Sequence, residues 1–120
     1  MPTVPAHEGF LAEASNLLAA MANAKRMLIL EIISREEISV GSLAVMAGLS
    51  QSALSQHLGK LRSAKLVQTR RDAQTVFYKC DSDEVRRMLH ALSEIFGTAP
   101  SQDPTHSLPD NRAVRETVLA

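Results

Sequence analysis

GLSQSALSQHLGKLR, residues 48 to 62, places leucines at 54, 58 and 61, the spacing of one buried helix stripe. The rest of that helix presents Gln51, Ser52, Ser55, Gln56 and His57, a polar face with little charge. A helix side made only for water is usually built from Glu and Lys, so a strip of amides and hydroxyls points to a surface that it must match. Just before it, Ser39 is placed to cap a short helix through Val40, Leu43, Ala44 and Ala47, and Gly48 to end it with a left-handed residue. Ser50 then caps the quoted helix. Two short helices joined by a Gly-Leu-Ser turn have the layout of a helix-turn-helix.

Upstream, Phe10, Leu11, Ala14, Leu17, Leu18 and Met21 recur at helical spacing and predict a first helix. Asn23 suits the cap of a second, AKRMLILEIISR, with Leu28, Ile29, Ile32 and Ile33 as its buried face. After Ala64 the period changes: LVQTRR alternates, DAQ is a turn and TVFYK is rich in β-formers, which predicts a hairpin tipped by Asp72, Ala73 and Gln74. Asp81, Asp83 and Glu84 crowd the start of a last helix, where acids suit the dipole, with Ser82 or Asp81 as its cap. Val85, Met88, Leu89, Leu92, Ile95 and Phe96 line its apolar face, and Gly97 stops it.

The expected fold is therefore mainly α with a small β-hairpin, in the order α-α-α-α-β-β-α, over residues 10–97. Residues 1–9 read as a flexible lead. Residues 98–120, with Pro100, Pro104 and Pro109 among polar residues, read as a disordered tail in which 111–119 form a short frayed helix.

At 120 residues the chain is expected to be one domain, and its few aromatics leave a core of Leu, Ile, Val, Met and Ala. No apolar run is long enough to span a bilayer, and no basic residue precedes Lys25, so neither a membrane span nor a secretory signal is expected. The single cysteine, Cys80, allows no internal disulfide and fits a reducing compartment. A cytoplasmic location follows as the expectation. Formal charge is zero, yet between Glu37 and Asp72 there is no acid, while Lys60, Arg62, Lys65, Arg70 and Arg71 all fall in that window. Local positive surface thus coexists with overall neutrality.

The DNA major groove admits one α-helix, and Gln and Ser there donate and accept at fixed positions on base edges. Gln51, Ser52, Ser55, Gln56 and His57 supply that chemistry, and Lys60, Arg62 and Lys65 supply phosphate anchors, which position without reading sequence. The hairpin brings Arg70, Arg71 and Gln74 to a tip suited to the backbone or the adjacent minor groove. This combination is a winged helix-turn-helix. One recognition helix gives little affinity, and such proteins commonly dimerise to set two of them about 34 Å apart. Phe10, Leu11, Leu17 and Leu18 of the first helix and Met88, Leu92, Ile95 and Phe96 of the last are the expected homodimer interface.

The run from MANAKRMLILEII through SVGSLAVMAGLSQSALSQHLGKLRSAKLVQTRRDAQTVFY resembles the ArsR/SmtB family of winged-helix repressors, most of all its branch of nodulation regulators and thiol-sensing repressors. The resemblance implies a homodimer that occupies double-stranded operator DNA and blocks transcription. It does not carry over a sensor. Metal-binding relatives have a Cys-x-Cys pair where this chain has Ser39 and Gly41, and use Asp and His where it has Ser82, Glu84, Ile95 and Thr98. The paired cysteines of thiol sensors have aliphatic residues or Ala44, and Phe96 close by, as their counterparts. Cys80 alone makes no dithiol switch and reads as structural.

His7, His57, His90 and His106 are dispersed, so no metal or other cofactor is expected. No nucleophile motif, catalytic pair or phosphate loop suggests an enzyme. Two other readings stay open from sequence: a repressor answering an effector at an unrecognised site, and a winged-helix module that docks a protein through the same helix face.

Overall fold

Asn23 ends one helix and starts the next: its side chain accepts the Arg26 N–H at 3.0 Å. The computed structural model describes residues 3–97, with side-chain surroundings from residue 8 onward. Within it α1 (Thr3–Met21) is followed by α2 (Ala24–Arg35), β1 (Ile38–Ser39), α3 (Val40–Ala47), α4 (Gln51–Ser63), β2 (Gln68–Asp72), β3 (Thr75–Lys79) and α5 (Asp83–Phe96). The expected tail, 98–120, with its 111–119 helix, lies outside the described residues. At the other end α1 starts within the segment expected as a lead, at Thr3. Pro5 falls in its first turn, where the N–H that proline lacks has no helical acceptor anyway.

α2 is the central element, packed on α1, α3, α4, α5 and β3. That position explains why its burial departs from the single stripe expected. Ile29, Leu30 and Ile33 are fully enclosed while Leu28 and Ile32 are only half-buried. A helix surrounded on several sides is not described by one face.

Two adjacent cations of α2 tie neighbouring helix ends to it. Arg26, buried, donates from Nε to Ala20 O at 2.6 Å and from Nη2 to Ala19 O at 3.2 Å, at the C-terminus of α1. Lys25 Nζ donates to Ala47 O at 2.6 Å, at the C-terminus of α3. Each places a positive charge at the negative end of a helix dipole and satisfies carbonyls that have no helical donor.

The helix-turn-helix is closed by backbone chemistry. Ser39 accepts the Ser42 N–H at 3.3 Å to start α3. Gly48, at φ 69°, ends it with its N–H on Val45 O and the Leu49 N–H on Ala44 O, the pair of bonds of a Schellman motif. Ser50 then accepts the Ala53 N–H at 3.1 Å to start α4. The far end of α4 repeats the motif, with Lys65 N–H on Arg62 O and Leu66 N–H on Leu61 O. Here the left-handed residue is Lys65, at φ 63°, where glycine is the unstrained choice.

β2 and β3 form the expected hairpin, but the pairing of Asp72 with Thr75 leaves a two-residue turn, Ala73–Gln74. β1 adds a third strand through Ile38 opposite Tyr78, giving the order β1-β3-β2. Two residues are too few to show a period-two pattern, so this strand had no signal in the sequence. Ser82 caps α5, accepting the Val85 N–H at 3.1 Å, and Gly97 at φ 71° ends it. Cys80 is fully enclosed, and its N–H donates to Ile33 O at 3.0 Å, which places it in the core between sheet and α2.

Replacing Lys65 by glycine removes a left-handed cost of about 1–2 kcal/mol and adds roughly 0.5–1 kcal/mol of backbone entropy loss. Lys65→Gly is therefore expected to raise the urea midpoint at fixed protein concentration. A lowered midpoint would show that the neighbours, not the backbone, favour lysine there.

Candidate nucleic-acid interface

Leu54, Leu58 and Leu61 of α4 are at most 1% exposed, and their burial fixes how the helix is turned. Gln51, Ser52, Ser55 and Gln56 then face outward. None of these four side chains has a hydrogen-bond partner within the described residues, so their donors and acceptors are open to an outside surface. The Ser50 cap and the Gly48 turn hold the near end of the helix still. The result is a rigid strip of neutral hydrogen-bonding groups.

His57 does not share that strip fully. It is half-buried on the flank of α4. Burial pushes its pKa down, and the charges of Arg26, Lys60 and Lys25 add to the effect. The imidazole is therefore held neutral more firmly than a solvated one. Lys60 and Lys65 are exposed near the end of the helix, as a phosphate-contacting role requires.

Two of the expected anchors are tied to the protein itself. Arg62 Nη1 donates to the Tyr78 hydroxyl at 3.0 Å, a strut from α4 to the sheet, although the residue as a whole is exposed. Arg70 turns back from the wing onto Glu37, with Nε on Oε2 at 3.0 Å and Nη2 on Oε1 at 2.8 Å, and its guanidinium lies 4.7 Å from the Phe77 ring centroid. The hydrogen bond from Arg70 holds the Glu37 carboxyl below its usual pKa, and Glu37 raises that of Arg70. The acid-free window was bounded by Glu37, and that bounding acid folds back to meet a cation inside it. Arg71, the next residue along β2, points to the other face of the strand. It is exposed, with no partner among the described residues, and so is Gln74 at the turn. Among the described residues, Arg71 is thus free at the wing while Arg70 is engaged with Glu37, where the sequence suggested that both would be available.

Lys25 and Arg26 were not singled out from sequence as neighbours of this surface. The signal was present: two cations in the first turn of a helix oppose its dipole, which marks them as engaged elsewhere.

α1 and α5 carry exposed apolar residues: Leu11, Leu18, Ile95 and Phe96 are 49%, 52%, 70% and 71% exposed, and Phe10 is exposed as well. Leu17, Met88 and Leu92 are half-buried at the edges of the same faces. His90 pairs with Glu94 at 3.2 Å on the solvent side of α5. Among the described residues no three of His, Cys, Asp and Glu come together as a metal site would need, and no helix is long and apolar enough to cross a membrane.

Residues 23–69, which hold the helix-turn-helix and the start of the wing, match the family model described as bacterial regulatory protein, arsR family. The chain is 52% identical over 104 residues to nodulation protein NolR of Rhizobium meliloti, covering 87% of this chain and 81% of that protein. It is 51% identical over 85 residues to transcriptional activator HlyU of Vibrio cholerae, covering 71% and 79%. The crystal structure of NolR from Sinorhizobium fredii superposes with a TM-score of 0.75 at 55% identity, over 82% of this chain and 99% of that one. With its caps, turn, open helix face and wing in this arrangement, the chain is a winged helix-turn-helix protein and belongs to the arsR family of bacterial regulatory proteins.

Proposed function

We propose that the chain regulates transcription as a homodimer that binds operator DNA in a sequence-specific way and blocks access to it. The observation that carries this reading is the open strip of Gln51, Ser52, Ser55 and Gln56 on a helix that buried leucines hold in one orientation. Amides and hydroxyls distinguish base edges in the major groove, which full charges do not. Lys60, Lys65 and Arg71 contact phosphates and set register. Arg62 and Arg70 act one step back, holding the wing against the helix-turn-helix through Tyr78 and Glu37. His57 lies at the edge of the contact.

The exposed faces of α1 and α5 pack on those of a second copy, with Phe10, Leu11, Leu18, Ile95 and Phe96 at the centre and Leu17, Met88 and Leu92 completing it. A two-fold axis there presents two α4 helices to one side of a duplex, about one turn apart. Repression follows from occupancy. The HlyU relative is named an activator, and the same contact serves either sign, since that depends on where the operator lies relative to the promoter. The protein works in the cytoplasm and uses neither the metal nor the dithiol sensor of its relatives: Ser39 is committed as the α3 cap, and Cys80 is enclosed in the core.

Gln56→Ala is expected to cost about 1–3 kcal/mol on the preferred duplex and to relax its sequence preference, while Arg71→Ala weakens all duplexes alike. Anisotropy titrations on preferred and scrambled duplexes separate the two, and equal losses for Gln56→Ala would refute base reading. With roughly three phosphates neutralised per subunit, log K should fall against log salt with a slope near −5 for the dimer. A protein-docking module would show weak DNA binding without preference.

For His57 the folded pKa lies below 6.5, so the unfolded chain takes the proton more readily. Its contribution to stability is fully present above about pH 6.5 and is lost as pH falls toward the folded pKa. Unfolding free energy measured from pH 7.5 to 5 should show this decline, and His57→Gln should flatten it. An unchanged profile in the variant would contradict the placement of His57 among three cations.

A further inference from the structure

Along the C-terminal half of α4, where it faces the end of α1, runs a groove of about 730 Å³. Arg26, Lys60 and Lys65 bring three cations to it, Asn16 and Ser63 bring neutral polar groups, and among the described residues no carboxylate lines it. Gly59 forms part of its α4 wall. A glycine inside a helix weakens it more than any residue but proline, so its presence asks for a reason. Left-handed backbone is not the reason, because Gly59 has ordinary helical φ. Crowding among the described residues is not the reason either: a Cβ built there meets none of their atoms within 4 Å.

What needs the space therefore lies outside the described residues. Gly59 is one turn beyond Ser55 and two beyond Ser52 on the same exposed side of α4, so an object lying along the strip continues over it. The groove is also bordered by Lys65, whose left-handed backbone puts a cation where glycine is the unstrained residue. Clearance on one wall and positive charge on both sides describe a place for an anionic chain of small cross-section.

We infer that this groove takes the sugar-phosphate backbone of one DNA strand, with Gly59 letting the backbone approach the main chain of α4 and Lys60 and Lys65 flanking its phosphates. Gly59 is a positioning residue that sets how deeply the helix enters the major groove. The inference rests on the reading of α4 as the recognition helix and adds a contact that this reading did not contain.

The test uses the full chain with Gly59→Ala or Gly59→Leu, a duplex selected by the wild type from a random pool, and a scrambled duplex of the same composition. Thermal unfolding of both variants is expected at or above the wild-type temperature, because the added side chain meets open space and improves helix propensity. Binding is expected to weaken by a few-fold for alanine and on the order of 10- to 100-fold for leucine, as overpacking a fitted contact does. The loss should be equal on the two duplexes, since backbone contacts carry no sequence information. Wild-type affinity in Gly59→Leu would overturn the inference. So would a loss confined to the selected duplex, which would place a base edge there, or unfolding well below the wild type, which would place the need for space inside the fold. If the wild type itself prefers neither duplex, the recognition reading fails; if it does prefer one and Gly59→Leu binds like wild type, only the groove assignment fails.

Discussion

The orientation of α4 about its own axis is the constraint on which the rest depends. Three leucines, each contributing about 1.5–3 kcal/mol on burial, sit within an arc of its surface beneath which α2 lies. A rotation by one residue position turns the helix about 100°, exposing leucine and pressing Gln or Ser into an apolar core with no hydrogen-bond partner. Both changes oppose folding, so the polar strip has one stable direction. That rigidity is what makes neutral groups useful for recognition, because an amide distinguishes bases only if its donor and acceptor arrive at fixed positions.

Much of the positive charge that surrounds this helix serves to hold the frame rather than to meet a partner. Lys25 and Arg26 fasten the ends of α3 and α1, Arg62 braces α4 against the sheet, and Arg70 clamps the wing to Glu37. The last of these is exposed and modest in energy, but it joins the strand that carries Arg71 to the segment just before the helix-turn-helix. The position of the wing relative to α4 is thereby set by side-chain bonds at two places. Fewer cations are left unengaged among the described residues than the sequence suggested, in a protein of zero formal net charge.

The parts of this design that sequence conveys are those written in local chemistry. Asn23, Ser39, Ser50 and Ser82 each act as the caps their residue type suggests, and Gly48 and Gly97 adopt the left-handed backbone that ends α3 and α5. The leucine period of α4 gave its buried side directly. What escaped depends on partners distant along the chain. Glu37 and Arg70 are far apart in sequence, so nothing local marks their pairing; β1 is too short to show a period; and the depth of Leu30 follows from α2 being enclosed by elements on several sides. The left-handed turn at Lys65 had no signal either, since a lysine gives no hint of that backbone.

The most direct test of the account is a map of backbone amide chemical shifts as a selected duplex is added to the full-length protein. The largest changes are expected at Gln51 through Lys60 and at Arg71 to Gln74, with the outer face of α5 around Ile95 and Phe96 unchanged. Changes centred on α1 and α5, with the α4 amides unmoved, would contradict the claim that the neutral face of α4 is what meets DNA.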